Sequence, residues 1–153
     1  MREGLFEVLI YIPKTNIYLN EKEINHIPYC VAVANEEYII KVNIYRDLIT
    51  KKFPMNYSRI GLYIDNIDVN YWKRLDMSEC EHNHNINCVT ATFLGFKKSD
   101  NELKAFIFGN TMHDDSNSNN NSNNSTNNTN NTNNGIGIIR VDIFEAEVSQ
   151  NKT

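Results

Sequence analysis

"EEYIIKVNIY", residues 36–45, carries the pattern on which the fold turns. Tyr38, Ile40, Val42 and Ile44 fall on one face, while Lys41 and Asn43 fall on the other. A period of two with one apolar side describes a strand that has one dry and one wet face. "RIGLYID" (59–65) repeats the pattern, with Ile60, Leu62 and Ile64 opposed to Arg59 and Asp65. So does "IIRVDI" (138–143), where Ile139, Val141 and Ile143 stand against Arg140 and Asp142. That last strand, Ile139 to Ile143, is expected at the centre of the core.

Further β-branched and aromatic runs are "FEVLIYI" (6–12), "YCVAVA" (29–34), "NCVTATFLGF" (87–96) and "LKAFIFG" (103–109). Turn signals separate them: Pro13, Pro28, Asp65-Asn66 and "KSDNE" (98–102). Strand runs recur at roughly ten-residue spacings, the rhythm of an all-β sandwich or barrel. The best candidate for a short helix is "NIYRDLITKKF" (43–53). The expectation is all-β: a single antiparallel β-sandwich of about seven to nine strands over residues 1–153.

The stretch from Ser116 to Asn134 is built of Asn, Ser and Thr and holds no apolar residue. Such a segment cannot offset its own ordering entropy, so it is expected to be a disordered loop. A strong strand follows at once, which makes it an insertion inside the domain rather than a linker. Without its 19 residues the 153-residue chain still has enough length for a core that needs no disulfide.

A net charge of −4 with scattered basic residues gives no footprint for nucleic acid. No apolar run approaches the ~18 residues of a membrane helix. Leu5 to Ile12 contains Glu7 and stops at Pro13, without a basic flank or a small-residue cleavage site, so no secretory signal is expected. An odd cysteine count, three, suits a reducing compartment, cytoplasm or nucleus.

The order "LYIDN", "FLGF", "AFIFG" and "GIGIIRVDIFEAEV" resembles a β-sandwich family of fungal and protist proteins known only as a domain of unknown function. Its motifs fall at Ile64-Asp65, Gly95-Phe96, Phe106-Ile107-Phe108 and Gly137-Ile138-Ile139-Arg140-Val141, over about the C-terminal two thirds. Asn66 stands where the family has Gly, and Asn also tolerates positive φ. The resemblance implies a fold and brings no catalytic residues.

"CEHNHNINC" (80–88) is the one dense cluster of potential metal ligands: Cys80, His82, His84 and Cys88. Structural zinc sites pair two short ligand hooks across a longer gap, which this stretch lacks. The even separations put all four on one face of an extended strand, but that strand would span ~26 Å and would have to bend around an ion. A polar loop without metal is the reading adopted, and no cofactor is expected. Cys30, inside "YCVAVA", reads as a small buried hydrophobe, and His26 as a turn residue. No nucleophile elbow or phosphate loop is present. Tyr63, Tyr71 and Trp72 are the candidate binding surface, as aromatics on a wet sheet face. The function expected is a non-enzymatic binding module for another protein, reached through a sheet face or an edge strand. The alternative is a metal- or carbohydrate-binding domain.

Overall fold

Alternation at 36–45 builds the middle of the larger of two sheets that pack face to face. The computed structural model describes residues 1–109 and 137–147. The Asn-rich tract at 116–134, with the disorder expected of it, lies outside these. Thirteen strands are found among the described residues. They are β1 (Arg2–Glu3), β2 (Phe6–Ile12), β3 (Ile17–Tyr18), β4 (Glu21–Ile24), β5 (Ile27–Cys30), β6 (Glu37–Tyr45) and β7 (Tyr57–Ile64). After them come β8 (Ile67–Asp68), β9 (Lys73–Asp76), β10 (Cys88–Phe93), β11 (Gly95–Ser99), β12 (Glu102–Ile107) and β13 (Ile139–Glu145). The strand count exceeds expectation in part because β1, β3 and β8 are two-residue pairings formed where the chain doubles back on β2 or β7.

Every pairing is antiparallel. The larger sheet runs β1-β2-β6-β12-β11, with β10 beside β6 and β3 beside β2; the smaller runs β13-β7-β8, with β9 also on β7. The apolar stripe of β6 (Tyr38, Ile40, Val42, Ile44) is buried together with that of β7 (Ile60, Leu62, Ile64), and Phe93 and Phe106 complete the core. β4 and β5 form a separate hairpin turning at Asn25 and His26, both at positive φ. Paired left-handed residues belong to a tight hairpin turn, so His26 is the turn residue expected.

No helix forms at 43–53. After β6 the carboxylate of Asp47 accepts from the amides of Ile49 (2.8 Å) and Thr50 (3.2 Å), a local closure that competes with helix.

The two long sides of the sandwich differ. On one, the chain bends at Leu94 between β10 and β11, and Gly95 lies so close to β12 that an added Cβ would strike the backbone of Lys104. Just beyond, the Lys97 amide donates to Val69 O (2.9 Å) and the Val69 amide to Leu62 O (3.1 Å). Those bonds tie β11 to β7 and close that side. On the other, β2 has its outer edge covered by β1 and β3, whereas β13 pairs only with β7 among the described residues. The strand expected at the centre of the core is therefore an edge strand. Ile139, Val141 and Ile143 point inward as expected, but they are only half-buried.

Candidate functional site

Where the two sheets part on the open side lies an apolar cleft of about 610 Å³. Phe6, Val8 and Ile10 of β2 form one wall, and Ile139, Val141 and Ile143 of β13 the other. Leu19 and the Pro28–Cys30 stretch of the β4–β5 hairpin reach over it. Cys30 is thus half-buried at the cleft rather than sealed in the core, and burial pushes its thiol pKa up, with a smaller contribution from Glu21. The hairpin and the chain after it also carry exposed Ile24, Ile27, Val31 and Val33.

The backbone of β13 is oriented to match. The Asp65 amide donates to Ile138 O (2.8 Å) and the Ala146 amide to Tyr57 O (2.9 Å). Hydrogen-bonded pairs alternate along an antiparallel ladder, so residues 140, 142 and 144 bond to β7. The amides and carbonyls of Ile139, Val141 and Ile143 then point away from β7. The same three residues direct side chains into the cleft and backbone groups to the edge that has no partner strand among the described residues.

The candidate aromatics do not act together. Tyr71 turns inward, half-buried against Phe93 (5.5 Å between ring centroids). Tyr63 and Trp72 do share the outer face of the smaller sheet. Arg140 covers the Tyr63 ring at 4.0 Å. Trp72 lies over Gly61, with Arg59 4.6 Å from its ring centroid and Phe144 beside it at 5.7 Å. With guanidinium groups over these rings, they offer no bare stacking platform of the kind a sugar uses.

Nor does the structure gather Cys80, His82, His84 and Cys88. Cys80 ends a 3₁₀ turn, His82 and His84 are exposed in the loop, and Cys88 begins β10 beside Thr90. Among the described residues no three His, Cys, Asp or Glu side chains are placed to hold a metal ion. The centre of this loop is Arg46, which the sequence reading passed over. It is 3% exposed and donates to the carbonyls of Lys51 (2.6 Å), Ile86 (3.0 Å), Asn83 (3.3 Å) and Cys80. Glu81 lies 3.9 Å away and the Phe53 ring 4.6 Å away. The signal was present: Arg46 is the next even-numbered residue after Ile44, so it continues the inward stripe.

A polar network on the outer face of the larger sheet was also missed. Glu7 accepts from Tyr45 OH (2.6 Å) and Asn43 Nδ2 (3.0 Å), and Thr90 donates to Asn43 Oδ1 (2.6 Å). The Tyr45 bond holds the Glu7 carboxyl below its usual pKa and pushes the Tyr45 hydroxyl up. These groups satisfy one another and leave no nucleophile poised beside a base.

Set against family models, curated proteins and solved structures, the chain matches none. No helix among the described residues is long and apolar enough to cross a membrane.

Proposed function

We propose that the protein is a non-enzymatic binding module whose partner is another protein, held along β13. The observation that carries this reading is the coincidence at Ile139, Val141 and Ile143 of backbone groups unpaired among the described residues with side chains facing an apolar cleft. An extended segment added to that edge would gain main-chain hydrogen bonds and place every second side chain in the cleft. The exposed aliphatics of the β4–β5 hairpin extend the same apolar surface. Unpaired thiols at Cys30, Cys80 and Cys88 suit a reducing cytoplasm or nucleus.

Selection of displayed random peptides on the full chain tests the proposal. Binders should carry apolar residues at alternate positions and should lose affinity on Val141→Pro. That substitution removes an amide pointing away from β7 and spares the ladder to it, and proline is tolerated on edge strands. Binders without alternation, or binders indifferent to Val141→Pro in a folded variant, would overturn strand addition.

A further inference from the structure

The outer face of the smaller sheet, opposite the cleft, places two arginines where sheet stability alone would not. Arg59 of β7 and Arg74 of β9 are directly opposed in register, and both are exposed. Like charges facing each other across a ladder are destabilising. Among the described residues neither has an acidic side chain within 4.0 Å, whereas Arg140 on the same face is paired with Asp142 at 3.4 Å. The pair sits on a chain whose net charge is −4, so general basicity does not account for it.

Arg59 is also held in place. A Cβ at position 61 would meet the Trp72 indole at 2.8 Å, so only glycine there lets the ring lie on the strand. Arg59 in turn lies 4.6 Å from the centroid of that ring. A guanidinium stacked on an aromatic keeps its planar donor edge free and loses less entropy when it binds.

We propose that Arg59 and Arg74 form an anion site for a phosphate monoester. A carboxylate carries one charge and would leave one guanidinium uncompensated. A monoester carries about −1.5 to −2 at neutral pH and three acceptor oxygens, enough for two arginine forks. A phosphorylated side chain and a free mononucleotide share this chemistry.

Trp72 is the chain's one tryptophan, so its emission reports on the site directly. The full chain is titrated at constant ionic strength with a phosphoserine peptide, its unphosphorylated counterpart and adenosine monophosphate. Saturable change with a phosphorylated probe and none with the plain peptide is expected; the tighter of the two phosphates assigns the source. Arg59→Gln and Arg74→Gln should each weaken binding about tenfold or more, while Arg140→Gln leaves it unchanged. Arg74→Gln should hold or raise the thermal midpoint, since it relieves repulsion. No saturation at millimolar concentration, binding by the Arg59→Gln or Arg74→Gln variant as tight as by the wild type, or a marked fall in the Arg74→Gln midpoint would each overturn the assignment.

Discussion

Arg46→Met is the perturbation that bears most directly on the 80–88 loop. Methionine keeps much of the aliphatic stem over Phe53 and removes every donor. The carbonyls of Lys51, Asn83 and Ile86, together with that of Cys80, then lose a charged partner. A hydrogen bond to a charged group contributes ~1.5–3 kcal/mol. The loop can reorganise and hydrate part of what is lost, so two bonds at the lower value give a loss of about 3 kcal/mol. With a urea slope of about 2 kcal/mol/M, the midpoint should fall by roughly 1.5 M. Amides of the segment around Asn83 and Ile86 should exchange faster than those of β6 and β7. A chelator, by contrast, should leave the wild-type curve unmoved. A midpoint shift below about 0.5 M with unchanged exchange in the loop would refute the role given to Arg46. Stoichiometric zinc whose removal unfolds the loop would return Cys80, His82, His84 and Cys88 to the centre.

Three other outcomes are expected. Val141→Asp should cost only about 1–2 kcal/mol by denaturation, because its side chain reaches the open cleft, while Val42→Asp should cost several; equal losses would contradict the placement of β13 at the edge. Ser58 Oγ is buried without a partner among the described residues, so Ser58→Ala should be neutral or stabilising by up to about 1 kcal/mol, and a clear loss would reveal a bond at that hydroxyl. Burial, helped by the charge of Asp65, pushes the Tyr38 pKa from 10.0 up to about 12. The folded state therefore holds the proton more tightly, and its advantage is complete below pH 10 and lost as pH rises towards 12. Tyr38→Phe should move alkaline unfolding to higher pH, and an unchanged profile would place the titration elsewhere.

The interior of the sandwich was legible because burial and period two coincide at Tyr38–Ile44 and Ile60–Ile64. What could not be read was the rank of a strand within its sheet. β13 carries the same alternation as β7, yet among the described residues β7 has neighbours on both edges and β13 only on one. Periodicity reports which face is dry and says nothing about how many strands lie alongside. Trp72 and Tyr71 show the same limit in side chains. They are adjacent, so alternation sends one outward and one inward, but which one depends on a register that Gly61 sets from another strand. The 80–88 loop shows a limit of a different kind. Its side chains are of types that bind metals, but its carbonyls are gathered by a cation thirty-four residues before Cys80, a distance local patterns do not span.

The difference between the two sides of the sandwich bears on how binding and stability share one small domain. Val69 accepts from β11 and donates to β7, so backbone hydrogen bonds bridge the two sheets on that side. On the cleft side no such bridge reaches β13 among the described residues. A fully closed barrel would leave no edge, and would leave no place for a partner strand either. An uncovered edge beside apolar side chains is an aggregation hazard unless something limits access to it. The outward face of β13 carries the paired charges of Arg140 and Asp142, although it ends in the exposed ring of Phe144. Glu21 and Pro28–Cys30 of the β4–β5 hairpin line the cleft, so a segment entering along β13 would pack against them. Shortening that hairpin between Glu21 and Cys30 should therefore increase self-association before it lowers the thermal midpoint, because the core of β6 and β7 does not depend on it. If the midpoint falls first, the hairpin is part of the fold's support and the cleft is not an entrance.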